Sequence, residues 1–184
     1  MKIYWRWAGA GLLAWAAAGC GKPDAGGPKA SLSEATETIA VLENIHLNHA
    51  QPKLKTMKLW LGANELVAEI CTNQVQVATG MMFRTNLLGN EAMLFVFGVP
   101  HRASFYMKNT VVPLSAAYID PDGIILEIHD LQPRNEQSVT AGTDRVQYVL
   151  ETTQGWFKRH GVATGAVVRT EFGTLQKTFF PRRP

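Results

Sequence analysis

The four residues Asp120-Pro121-Asp122-Gly123 constrain the fold of this chain more than any other short stretch. Pro presets φ for an early turn position, Asp side chains bond to their own backbone, and Gly accepts the left-handed conformation that other residues resist. Leu114 to Asp120 and Ile124 to His129 flank the turn as short, largely apolar runs, so the segment predicts a β-hairpin. From Lys53 onward the chain repeats this scheme of short runs and turns. Met57, Leu59 and Leu61 alternate with Lys58 and Trp60, the period of a half-buried strand, and Gly62-Ala63-Asn64 leads into a second strand over Glu65 to Thr72.

Asn73 then fits the N-cap of a short helix reaching about Phe83, with Val75, Ala78 and Met82 spaced for one face. Met93-Leu94-Phe95-Val96-Phe97 is a continuous apolar run, as in a strand buried on both sides. Ala103 to Met107, Arg145 to Glu151 and Ala166 to Glu171 add further strands, and Gln154 to His160 reads as a short helical turn ended by Gly161. About seven short strands against two short helices predict a mostly β fold, a single compact sandwich-like or barrel-like domain over residues 53–176.

The N-terminus reads as an address. Lys2 and Arg6 precede the apolar run Ala8 to Ala18, then Gly19-Cys20. A basic start, a short apolar core and small residues before a cleavage point describe a secretory signal, and the run is too short to span a bilayer. Ala17-Ala18-Gly19-Cys20 resembles the bacterial lipobox, in which the Cys carries the lipid and becomes the new N-terminus. The expectation is a signal over residues 1–19, lipidation at Cys20, and export to the periplasmic face of the envelope. Gly21 after the Cys favours the outer membrane over the inner. Residues 20–52 then form a tether, Gly/Pro/Ala-rich over 21–30, with a helix expected over 33–49 carrying Ile39, Leu42 and Ile45 on one side. Residues 177–184 form a basic tail.

Charge supports the same reading. The chain has 18 basic and 15 acidic residues, and removal of residues 1–19 takes only Lys2 and Arg6, leaving 16 against 15. No long positive stripe remains for a phosphate backbone, so no nucleic-acid partner is expected. If Cys20 carries lipid, Cys71 is left unpaired, and its apolar surroundings Leu66 to Ile70 suit a buried, unreactive thiol.

Standard site patterns are missing: there is no phosphate loop, no Gly-x-Ser-x-Gly elbow and no paired-Cys metal spacing. His46 and His49 stand three apart without a third ligand. Met81, Met82, Met93 and Met107, with His101, offer soft donors for Cu(I), but core filling is the commoner use of Met. No metal and no cofactor are therefore expected. Candidate acid or base groups are His101, His129, Asp120 and Glu151, none paired by sequence with a nucleophile. The segment Phe105-Tyr106-Met107-Lys108-Asn109-Thr110 places an amine, an amide and a hydroxyl at the end of an aromatic strand. With Arg84 these residues form the candidate ligand face for a small anionic or carbonyl-rich molecule, Phe105 and Tyr106 being its apolar support. The competing reading has Asn109 and Thr110 bonding to the local backbone in a turn, with Lys108 solvated.

The order of motifs is similar to that of the bacterial and archaeal family called domain of unknown function 192. It runs from Gly80-Met81-Met82-Phe83-Arg84 through Met93–Phe97, Phe105–Thr110, Pro113-Leu114, Tyr118-Ile119-Asp120 and Gly123 to Glu151, Gly155-Trp156 and Gly165. The similarity covers about residues 55–172, and Phe105–Thr110 is its most specific piece. It implies a compact, mostly β domain, often behind an export signal. It assigns no activity and therefore no catalytic residue. The chain departs from the family pattern at Ser115, where Asp is common, and at Met81, Ala92 and Tyr106, where Leu, Gly and Trp are common. The missing Asp argues against an enzyme that depends on that carboxylate. The functions expected are a binding or accessory module, a hydrolase or transferase acting on an envelope component, or a purely structural protein.

Overall fold

A computed structural model of the protein describes residues 45–181. The signal, Cys20 and most of the tether lie outside the described residues. So does the greater part of the helix expected over 33–49, whose last residues, 45–49, run as irregular chain. No helix among the described residues is long and apolar enough to cross a membrane.

Ten strands and three short helices follow. They are β1 (Thr56–Leu61), β2 (Asn64–Cys71), α1 (Gln74–Thr79), β3 (Glu91–His101), β4 (Ser104–Phe105), β5 (Leu114–Ile119) and β6 (Ile125–Leu131). After these come β7 (Val139–Thr140), β8 (Val146–Thr153), α2 (Trp156–Arg159), β9 (Val168–Thr170), β10 (Gly173–Thr174) and α3 (Leu175–Phe179). Eight strands form one sheet in the order β10-β9-β1-β2-β3-β8-β5-β6, and β4 pairs with β7 in a separate ribbon. The fold is mostly β, as expected. Its main sheet is open, with β10 and β6 at its edges, rather than closed into a barrel.

Local chemistry explains the elements that position the site. Asn73 caps α1 reciprocally: its side chain accepts from the Gln76 amide, and the Gln76 side chain accepts from the Asn73 amide. α1 ends at Thr79, earlier than expected, because Gly80 turns out of the helix at φ +48°. A Cβ at Gly80 would sit 3.2 Å from the Phe95 ring, so the glycine lets the chain pass close over β3. The short α1 makes β2 and β3 parallel, the one parallel pairing in the sheet. In the Asp120–Gly123 turn, Asp120 Oδ1 accepts from the Asp122 and Ile124 amides, and Gly123 takes φ +85° under the Val168 carbonyl.

Strand alternation sends side chains to two buried faces. Met93, Phe95, Phe97, Leu114, Ala116, Tyr118 and Val149 line one, under α1, residues 79–84 and the segment 103–112. Leu59, Leu66, Leu94, Ala117, Ile119 and Leu150 line the other, against Trp156, Phe157, Val162 and Leu175.

Candidate functional site

The first of these faces holds most of the polar groups buried against the sheet. Across it, Cα partners run from Glu69 on β2 to Met93 on β3, Glu151 on β8, Ala116 on β5 and His129 on β6. Residues that pair laterally share a face, so this row places three titratable side chains on one surface. With strands about 4.8 Å apart, each polar group stands roughly 10 Å of backbone from the next.

Glu69 is 6% exposed and ionised. Burial works to raise its pKa, but Arg84 and the Leu54 amide outweigh burial and hold it below the ordinary value. Arg84 Nη1 donates to Oε1 at 2.5 Å and Nη2 to Oε2 at 2.8 Å, and Leu54 N donates to Oε2 at 2.7 Å. This bidentate bond in turn raises the Arg84 pKa.

Glu151 is the opposite case. It is 4% exposed, and among the described residues no donor hydrogen-bonds to its carboxyl. Burial pushes its pKa up to about 8, so the group is largely a neutral acid at neutral pH. Its charge, when present, adds to the burial that raises both the Cys71 thiol and the Tyr118 phenol, which places both groups within its field. Cys71 is thus an unreactive thiol, its Sγ 3.7 Å from the Gln76 carbonyl.

At the far end of the row, His129 Nε2 lies 2.9 Å from Glu127 Oε2, and Glu127 Oε1 accepts from the Gly142 amide at 2.8 Å. The His129 ring rests against Tyr118, with centroids 5.2 Å apart, and the Tyr118 hydroxyl donates to the Val139 carbonyl.

The other residues singled out by sequence divide between site and scaffold. Phe105 is buried core, packed edge-on against Phe95. Thr110 is buried, and its hydroxyl donates to the Lys108 carbonyl, as the local-backbone reading expects. Asn109 sits at φ +58°; its carbonyl accepts from the Phe83 amide at 2.7 Å, and its side-chain amide lies 4.0 Å from Met82 Sδ. These contacts join segment 103–112 to the stretch that carries Arg84. Tyr106 and Lys108 are partly exposed. Asp120 serves the turn and pairs with Arg145 at 3.1 Å. His101 lies at the end of β3 against Phe97, and burial lowers its pKa against the Val99 carbonyl, which raises it. No group of three or more His, Cys, Asp or Glu suited to a metal occurs among the described residues.

Sequence reasoning missed Glu69, Glu127 and Tyr118. The signal for Glu69 was present in retrospect: it interrupts Leu66-Val67-Ala68-Glu69-Ile70-Cys71, a strand otherwise apolar on both faces.

The class of protein is an open mostly β sheet, covered on one face by α2 and α3 and capped on the other by α1 and loops over buried carboxyls. More narrowly, the chain belongs to the DUF192 family, described as an uncharacterised ACR, whose model matches residues 58–170. It is similar to a Sinorhizobium meliloti protein whose structure is described as that of "a putative transcription regulator". The two are 30% identical with a TM-score of 0.62, over 65% of this chain and 97% of that one. A protein of unknown function from Novosphingobium aromaticivorans is 29% identical with a TM-score of 0.61, over 66% of this chain and 89% of that one. No curated protein matches the chain.

Proposed function

We propose that the chain is exported, anchored through a lipid on Cys20 at the periplasmic face of the outer membrane, and binds a small ligand on the Glu151 face of its β domain. Glu151 carries the reading. Burial of a carboxyl whose pKa it raises costs the fold stability, and such groups mark places where something other than the fold uses them. Binding is favoured over turnover because neither candidate nucleophile serves this face. Cys71 is pushed away from the thiolate, and the Ser115 hydroxyl is held by Asp130 and the Gly155 amide on the other face. The regulator description of the Sinorhizobium structure is not extended to this chain, whose charge balance after signal removal is close to neutral.

A second reading, general-base hydrolysis of an envelope component, draws on the 2.9 Å His129–Glu127 contact.

The test uses the full chain purified in detergent, screened by thermal shift against N-acetylglucosamine, N-acetyl-alanine amide, acetate and phosphate. A shift that disappears in Glu151→Ala and survives in His129→Asn supports binding; a flat screen overturns it. Release of product from a probe, lost in His129→Asn, would favour hydrolysis. Lipidation is checked by labelling cells with radioactive palmitate. The label should follow the protein and be absent in Cys20→Ser.

A further inference from the structure

We infer that residues 47–54 form a lid, a strap that opens and closes over the β2–β3 end of the Glu151 face while the sheet stays folded, uncovering Cys71 and Met93. The lid concerns how that face is reached and stands whether or not the binding reading does. Its basis is the way the strap is held. Among the described residues, no backbone-to-backbone hydrogen bond reaches residues 45–54. The first is at Lys55, whose carbonyl accepts from the Ile70 amide at 2.9 Å where the chain joins the sheet. Ahead of that point every anchor involves a side chain. The Leu47 amide donates to Thr79 Oγ1 at 3.0 Å, and the Leu54 amide to Glu69 Oε2 at 2.7 Å. Gln51 Nε2 donates to the Gly80 carbonyl at 2.8 Å and to the Gln76 carbonyl at 3.2 Å. Lys53 adds an exposed pair with Glu91 at 3.4 Å.

Packing holds the strap only lightly. Of residues 45–54 Gln51 alone is buried, and Leu54 rests partly buried against the core of that face. A segment that buries so little apolar surface loses little on leaving, and such segments open well below the free energy of global unfolding. Beside the strap runs a cleft of about 680 Å³, with Leu47, Gln51, Pro52 and Leu54 on one wall and residues 73–76 on the other. Space therefore separates the strap from the first turn of α1. What the strap covers is shown by Gln51. Its amide lies 3.9 Å from Met93 Sδ, and its side chain hydrogen-bonds the Cys71 thiol. Met93 and Cys71 are both fully buried. The bonds Gln51 makes are neutral, and water replaces bonds of that kind at small net cost when the strap lifts.

The test follows the strap and what lies under it separately, on the detergent-purified full chain. Hydrogen exchange by mass spectrometry reads the strap and β3. Labelling with N-ethylmaleimide, mapped by peptide, reads Cys71 apart from Cys20. In urea well below the unfolding midpoint, strap exchange and Cys71 labelling should both be nearly indifferent to urea, while β3 exchange carries the full urea dependence of unfolding. Gln51→Ala should speed strap exchange and Cys71 labelling together by about tenfold. Thr79→Val removes only the acceptor of the Leu47 amide and should speed both by about threefold; it serves if Gln51→Ala does not fold. Ile119→Val, buried on the opposite face, lowers global stability and should speed β3 exchange by about fivefold without changing the strap or Cys71. Cys71 labelling that tracks β3 exchange, in urea or in Ile119→Val, overturns the lid, because the thiol is then reached only by global unfolding. Strap exchange that quickens in Gln51→Ala or Thr79→Val while Cys71 labelling does not overturns it too, because the strap then covers nothing.

Discussion

On one face of the sheet, Leu94, Leu150 and Ile119 meet Trp156 and Phe157; on the other, Met93, Glu151 and Ala116 lie beneath residues 79–84 and 103–112. The six sheet residues among them alternate along the same three strands, β3, β8 and β5, and each of the six is almost inaccessible. What differs is the material. The helix-covered face is aliphatic and aromatic with few polar side chains: Thr152 donates to the Glu91 carbonyl, Ser115 is held by Asp130 and Gly155, and the Tyr148 hydroxyl is buried with no partner among the described residues. The loop-covered face buries an ion pair, a thiol and a second carboxyl whose pKa burial raises. Equal burial therefore does not mean equal purpose. One face stabilises the fold, and the other holds polar groups at some expense in stability.

Mutations on the two faces should divide accordingly. Trp156→Ala removes the largest fully buried side chain of the helix-covered face and should lower stability by about 3–5 kcal/mol at every pH, read by denaturant unfolding. On the loop-covered face, Arg84→Ala leaves Glu69 buried without its charge partner and should lose about 3 kcal/mol or slightly more. That loss should shrink in acid, where Glu69 protonates. Its pKa is lowered in the fold, so the stability it contributes is present above its unfolded value and lost as pH falls through the lower, folded one. A loss indifferent to acid would show that Arg84 matters through packing instead.

Glu151 should behave with the opposite sign. Its folded pKa of about 8 lies above its unfolded value of 4.5, so the folded state binds more protons between the two and stability falls as pH rises through that window. Glu151→Gln should abolish that decline and exceed the native chain above about pH 8 by on the order of a few kcal/mol, visible as crossing unfolding curves. If the curves stay parallel, the two faces do not differ in the way argued. The smallest effect belongs to α1, which covers the loop-side face: Asn73→Ala removes the side-chain half of its cap, the bond accepted from the Gln76 amide, and should lose about 1 kcal/mol.

Much of the scaffold could be read from sequence. The turn at Asp120–Gly123, the strand over Met93–Phe97 and the cap at Asn73 are all decided within a few residues, by φ preferences, apolar periodicity and side-chain-to-backbone bonds. The parallel pairing of β2 with β3 and the β4–β7 ribbon were not legible, because they depend on which distant segments meet. The candidate site was legible only in pieces. Arg84 and Glu151 stood out, but Phe105 and Thr110, chosen from the Phe105–Thr110 motif, serve the core and the local backbone, and Arg84 turns to Glu69 rather than to solvent.

The sequence by itself determined the strand-and-turn order, the alternation that gives the sheet two buried faces, and the motifs shared with the DUF192 family. Only the tertiary structure decided the electrostatics. A carboxylate has the same intrinsic pKa wherever it stands in a chain; what separates Glu69 from Glu151 is that the fold brings a guanidinium and a backbone amide to the first and leaves burial to dominate at the second. The ion in the first case follows from Arg84, 15 residues away in sequence and 2.5 Å away in space, and the neutral acid in the second from the burial of Glu151 under segments distant in sequence.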